Sequence, residues 1–299
     1  MIRLSKEQRV FALAADTPPA VHVPDGALVE LETADCFCDQ VRDAGDGLDA
    51  VDWEQVNPAT GPVFVEGARP GDTLTVHVER IEVDDQGVMA VSDEFGVLAD
   101  RFRGTDCRLV PITDGFARLS DGVDVPVRPM IGVLGVAPAG ASVPTHTPGP
   151  HGGNMDTRLI AEGATVYLPV FAPGGLLAAG DLHAAMGDGE ICGTGVEVAG
   201  RVTLRVTVRR DIEIVNPVVE TPKVIATVAS APTLDEAAAL ATRDMADLLG
   251  TRLGLSPASA TMLMSAAGDL QVSQVVDPLK TARFALPKSV LAQYDQPLL

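Results

Sequence analysis

With 299 residues, 46% of them hydrophobic, and a formal net charge of −19, the chain is long enough to bury one large core or two to three smaller ones. The charge excludes nucleic acid and anionic membrane surfaces as partners, since both require a basic face. No apolar run is long enough for a transmembrane helix, and the N-terminal MIRLSKEQRVFALAADTPP lacks a signal peptide's apolar centre, so a cytoplasmic location is expected.

In chain order, residues 20 to about 220 carry short β-type runs broken by turn residues: AVHVP, ALVELET, GPVFVEG, DTLTVHVERIEV, IGVLGVAP, TVYLPV, VEVAGRVTLRVTVRR and DIEIVNP. TLTVHVERIEV and RVTLRVTVRRDIEI alternate apolar and polar residues as half-buried antiparallel strands do. PDG, AGDG, GARPGD, DDQG and TDG read as the intervening turns. His22 and His77 sit in such strands with no acidic cluster beside them and read as ordinary strand residues. ETADCFCDQ reads as a strand with Cys36 and Cys38 on one face, both in a small apolar role. Neither these nor Cys107 and Cys192 form a CxxC pair, and a chain of this length needs no disulfide stapling. Asn57-Pro58 and Gly61-Pro62 fix a turn, and Trp53, the single tryptophan, reads as a cap on the core edge.

After residue 221 the character changes. KVIATVAS is a strand, and the alanine-rich TLDEAAALATRDMADLLGTRLG is a helix with a Thr233/Glu236 capping box. A second helix starts from Ser256 and Pro257 and stops at Gly268, with Met262 and Met264 expected in the core. LQVSQVV and KTARFAL follow as strands. The expected fold is mainly β: a sandwich- or barrel-like body over 1–220 that carries the functional motifs, and a small α+β unit over 221–299 packed on it.

The chemistry concentrates between His146 and Glu197. Three of the five histidines, His146, His151 and His183, lie there with Asp156, Asp181, Asp188, Glu190, Glu197 and many glycines. Asp181 and His183 are two apart, so on an extended segment both point to one face, and Asp188 and Glu190 have the same relation. Imidazole with carboxylate suits zinc or a similar transition ion, whereas carboxylate with carbonyl oxygen suits calcium or magnesium. Neither HExxH nor a calcium-loop pattern is present, and a solvated acidic loop is the plain alternative.

These residues resemble the acetamidase/formamidase family of amide hydrolases. The resemblance rests on PGPHGGNMD (148–156), YLPV (167–170), GDLHAAMGDGE (180–190) and GTGVE (193–197). It continues in VNPATGPVFVEGARPGD (56–72), IGVLGVAP (131–138) and SAAGDLQVSQVVDP (265–278), and so covers most of the chain. Met186 stands where family members often carry Gln, and Cys192 follows Glu-Ile rather than Glu-Val. The resemblance implies hydrolysis of small linear amides such as formamide or acetamide, a homo-oligomer (dimer or tetramer), and a place for Asp35 and Asn57 near the pocket.

Amide hydrolysis needs an activated water, an oxyanion stabiliser and an acid for the departing ammonia, and a metal ion supplies the first two. His151, Asp156, Asp181 and His183 are the expected ligands of a divalent ion, zinc first, with a second ion such as calcium as an option. Glu190, with Asp188 beside it, is the expected general base and acid. Asn154 and the amides of Gly152 and Gly153 are the expected holders of substrate or oxyanion. Asp35, Asn57, Glu197 and Cys192 form a second tier. No GxSxG elbow occurs, and no lysine lies in a Gly/Ser-rich segment, which disfavours serine mechanisms. The rival reading is a non-catalytic, calcium-dependent β-sandwich binding module. The histidines oppose it, because a hard calcium site uses oxygen donors. The composition itself has two readings. Only four lysines occur, and an acid-rich, lysine-poor surface is expected of a protein in a salty cytoplasm, where salt screens the charge. A GC-rich genome gives the same residues without that adaptation.

Overall fold

The structure is a computed structural model that describes residues 1–43, 47–119 and 122–299. It is mostly β, with 41% strand and 15% helix. Most of the AGDG turn (44–46) lies outside the described residues.

The backbone of the body is the antiparallel pairing of two long strands, Thr73–Ser92 and Glu197–Arg209. Alternation does the sorting: Leu74, Val76 and Val78 on one strand and Val202, Leu204 and Val206 on the other point into one core, where they meet Val29, Leu31 and Val63. Each fully buried Val or Leu stabilises the fold by roughly 1.5–3 kcal/mol, so this shared face dominates the stability of the body. As the sequence implies, His77 points away from that face and contacts Thr165, and His22 stacks on Phe64 with ring centroids 4.4 Å apart.

Several local expectations give way. DDQG (84–87) makes no turn. The strand continues through it, bulging against Glu197–Arg209, because Gln86 and Gly87 pair with Pro111 and Val110 on the next strand, Thr105–Thr113. TDG is a hairpin turn, with Asp114 and Gly115 both at positive φ. DIEIVNP contains no strand, although Ile212 anchors it by packing under the helices. ETADCFCDQ leaves the sheet after Thr33 and turns over Asp35–Asp39, with Cys38 at φ 56°, so the two cysteines do not share a strand face.

The segment after 221 forms as read. Thr233 and Glu236 make the capping box of helix α1 (Leu234–Leu253), and Ser256 and Pro257 open α2 (Pro257–Ala267). Met264 enters a second core with Met245, Leu249 and Phe284, but Met262 is exposed. Two residues on a helix are about 200° apart, so the pair cannot share a buried face. The sheet crosses the 220/221 boundary: Val218–Glu220 pairs on one side with Thr165–Tyr167 and on the other with Val224–Ala231. No helix among the described residues is long and apolar enough to cross a membrane.

What positions the site is the fully buried strand Leu177–His183. Its neighbours are Met130–Gly135, Ala59–Val65 and the start of Glu197–Arg209, with Met130 opposite His183 and His183 opposite Glu197. Side chains at its end are therefore fixed from several sides and shielded from water.

Candidate active site

His183 is wholly buried, and its Nε2 faces a ring of carboxylates: Glu197 Oε1 at 3.2 Å, Asp181 Oδ2 at 3.6 Å, Asp156 Oδ1 at 3.8 Å and Glu190 Oε1 at 3.9 Å. Two sets of donor atoms lie within 4.8 Å of one another: Asp156, His183 and Glu190, and beside them Cys36, Asp181 and Glu197. The backbone is bent to bring them there. Asp156, Asp181 and Glu190 have φ of 40°, 55° and 49°, a costly conformation for non-glycine residues that persists only where the surroundings impose it. Glycines leave the room: a Cβ on Gly132 would fall 2.5 Å from both Asp156 Oδ1 and Asp181 Oδ2, and one on Gly195 would fall 2.6 Å from His183 Nδ1.

The ring carries more negative charge than one imidazole balances. Burial, reinforced by Asp181, pushes Asp156 up to about 8. Burial, only partly offset by His183, pushes Glu197 up to about 7. Burial and then Asp156 hold Glu190 well above the carboxylate range, and the same two causes raise Asp277. Burial opposes the charge on His183, but Glu197 and Asp181 outweigh it and hold its pKa well above the usual value. Both carboxylate oxygens of Asp156, both ring nitrogens of His183 and Glu197 Oε2 are buried without a hydrogen-bond partner. Folded proteins rarely tolerate such orphaned atoms. Buried carboxylates and an imidazole left without partners, with a thiol adjoining, fit a divalent cation.

Asp188 behaves differently. It accepts two 2.8 Å hydrogen bonds from Arg158 and a 2.7 Å bond from the buried Arg283. Burial works against its charge, yet the two arginines outweigh burial and lower its pKa. The 187–190 segment is no strand, and Gly189 (φ 98°) and Glu190 turn the chain, so the two acids meet different partners.

The remaining expected residues have settings of their own. His151 is buried, and burial lowers its pKa to about 4; it belongs to neither donor set. The amide of Gly152 donates to Gly149 O and that of Gly153 to Leu134 O, so both are already used. Their glycine identity answers instead to crowding, since a Cβ at Gly152 would sit 2.2 Å from Leu134 O. Asn154 donates to Asp277 at 3.0 Å, while its buried Oδ1 has no partner. Asn57 donates to Asp181 across 3.4 Å. Asp35 accepts from the Asp39 amide, and burial raises it to about 6. Cys192 is half-buried, with its Sγ 3.2 Å from Thr194 O.

Asp277, Arg283, Arg158 and Cys36 complete this neighbourhood, and nothing in their own spacing marks them. Asp277 and Arg283 come from beyond residue 221, more than a hundred positions from Asn154.

A family model described as the acetamidase/formamidase family matches residues 6–147 and 139–293. The chain belongs to the acetamidase/formamidase family. A solved structure of a predicted acetamidase/formamidase from the thermophile Thermoanaerobacter tengcongensis is 50% identical, with a TM-score of 0.96 over 98% of this chain and 97% of that one. An acetamidase from Bacillus halodurans is 47% identical, with a TM-score of 0.96 over 98% of this chain and 100% of the other. Among curated relatives, the formamidase of Methylophilus methylotrophus is 27% identical over 66% of this chain and 63% of its own length. The chain spans 61–63% of the length of the curated relatives it matches. Within this acetamidase/formamidase fold, the acid- and glycine-rich strings of the sequence and the ring around His183 are one object: the strings supply the acids, and the glycines between them supply the space.

Proposed function

We propose that the protein hydrolyses the carbon–nitrogen bond of a linear amide, adding water to give the carboxylic acid and ammonia, with a divalent metal ion at the His183 ring. The observation that carries this reading is the set of buried, partnerless donor atoms on Asp156, His183 and Glu197, supported by family membership. Asp156, Asp181, His183 and Glu197 are the residues that would hold the ion, with Cys36 and Glu190 adjoining. Imidazole and thiol among the donors favour zinc, and the carboxylate surplus leaves room for a second ion such as calcium. When bound, such an ion supplies an acidified water and a polarised carbonyl.

The chain's own side chains do the rest. Glu190, held well above the usual carboxylate pKa, takes the proton from the attacking water at its carboxylate and returns it to the departing nitrogen. Asn154 Oδ1 is a free acceptor for the substrate amide N–H, and Asn154 Nδ2 is oriented by Asp277. The Asp188 carboxylate, clamped by Arg158 and Arg283, fixes the turn that carries Glu190. His151 is a buried imidazole whose Nε2 has no hydrogen-bond partner, and burial lowers its pKa to about 4. In this reading residues 1–220 form the site-bearing body, and 221–299 form a unit that closes it with Asp277 and Arg283.

Ammonia release from formamide and acetamide, measured before and after chelation with metal analysis of each sample, tests the proposal. Activity lost on chelation and restored by one ion supports it. Activity that survives complete metal removal sinks the metal role, and no ammonia with metal still bound favours the calcium-dependent binding module. We further propose a cytoplasmic homo-oligomer, dimer or tetramer, adapted to high salt. Light scattering reads the assembly, and equal stability in low and multimolar potassium chloride would remove the adaptation.

A further inference from the structure

A cavity of about 260 Å³ lies beside the ring, lined by residues that touch it. Its polar lining includes His146 and Thr194 together with Cys36, Asn57 and Asp277, the last three tied to the ring: Cys36 by its approach to Asp181 and Glu197, Asn57 by its bond to Asp181, and Asp277 by its side-chain contact with Asp156. Its walls are aromatic: Phe37, Trp53 and Phe95. At roughly 30 Å³ of liquid volume per water molecule, the space equals about nine waters, about three to four times what formamide or acetamide fills.

The walls are built in place. Phe95 sits edge-on to Trp53, with ring centroids 6.2 Å apart and planes at 62°. The Phe95 segment is pinned by the bond from Val97 N to Ile191 O, and Gly193 makes room for the ring, since a Cβ there would fall 2.8 Å from Phe95 Cδ2. The Trp53 loop is tied to the floor by the bond from Asn57 N to Cys36 O at 2.7 Å. Trp53 nevertheless stays 50% exposed, an apolar surface left open at the mouth of a polar site. Among the described residues the one basic side chain lining the cavity is His146, whose pKa burial lowers, and no arginine or lysine joins it, so an acyl group bearing a carboxylate finds no fixed counter-charge there.

From this juxtaposition we infer that the cavity binds the acyl substituent of the substrate, and that the preferred substrates are uncharged amides whose acyl group carries an aromatic ring. This rests on the amidase reading above. The reaction is unchanged: water adds to the acyl carbon, the carbon–nitrogen bond breaks, and the proton leaves with ammonia. The ring of such an amide lies against Phe95 and Trp53, where aromatic pairs gain beyond area burial.

The test uses the full chain with its metal content as purified. Ammonia release is measured for phenylacetamide, acetamide and succinamate with wild type, Phe95→Ala and Trp53→Ala. The expected kcat/KM for phenylacetamide exceeds that for acetamide by at least about tenfold, mostly through KM, with succinamate poorest. The ratio of phenylacetamide to acetamide falls about tenfold in each variant. In parallel, phenylacetamide is titrated against the fluorescence of Trp53, the single tryptophan, which reads cavity binding without turnover. Acetamide turnover with no preference for phenylacetamide and no fluorescence response overturns the inference and leaves the amidase reading standing. A saturable fluorescence response with no ammonia from any amide sinks the amidase reading while supporting the cavity's ligand class. If Phe95→Ala fails to fold, the half-exposed Trp53→Ala decides the kinetic arm.

Discussion

Asp188 and Glu190 stand two residues apart in one glycine-rich turn, and their surroundings could hardly differ more. Asp188 is saturated by two arginines and stays ionised; Glu190 is buried against other acids and held toward its protonated form. The first arrangement is what a fold does with a carboxylate it needs for structure. The second costs stability unless a proton or a cation compensates it, and folds retain such costs where chemistry needs them. The boundary between scaffold and site therefore runs through a single turn.

The largest expected effect comes from the unsatisfied side. His183→Gln or Asp156→Asn should lower kcat/KM for amide hydrolysis by at least ~10³-fold, as loss of a cooperating group does. Asp156→Asn should at the same time leave the chelated protein as stable as wild type or more so, because it removes a buried, uncompensated carboxylate. Hydrolysis within tenfold of wild type in either variant would erase the distinction drawn here.

On the saturated side the opposite is expected. Arg283→Met leaves Asp188 to Arg158 alone and removes the Arg283 bonds to Gln271, Thr157, Val272 and Ser273, and should cost about 1–3 kcal/mol in urea unfolding, as losing charged hydrogen bonds does. An unfolding midpoint equal to wild type would mean that the clamp is incidental.

Gly132→Ala sharpens the comparison without touching a charge. Its Cβ would press on Asp156 and Asp181 together, so activity should drop about 10–100-fold, as when groups that orient ligands are disturbed. A variant with normal kinetics would show that the acids have more freedom than the geometry implies. Smallest is Thr233→Ala, which removes the cap of α1 far from the ring. It should cost ~1 kcal/mol of stability and leave kcat/KM unchanged. A change in kcat/KM would couple that helix to the site.

Much of this protein was readable before any coordinates. Alternation gave the long strands because burial of every second residue is a local rule, and the capping box and proline placed both helices because capping bonds span only a turn. The strings around Asp156, His183 and Glu190 marked the site because they gather acids, imidazoles and glycines in one stretch, and they resemble a known family. Local rules failed where pairing overrode them: DDQG has turn residues, yet a neighbouring strand held it extended. They failed again at Asp188, whose partner Arg283 is 95 residues away. The sequence by itself determined most of the strands, the two long helices and where the ionisable groups concentrate, since those follow from near neighbours. Only the tertiary structure decided that Cys36 and Asp277 join the ring, that Asp188 leaves it, and that Trp53 and Phe95 wall a cavity beside it. Desolvation, charge balance and cavity shape depend on which distant segments meet, and the chain encodes those meetings only as a folded whole.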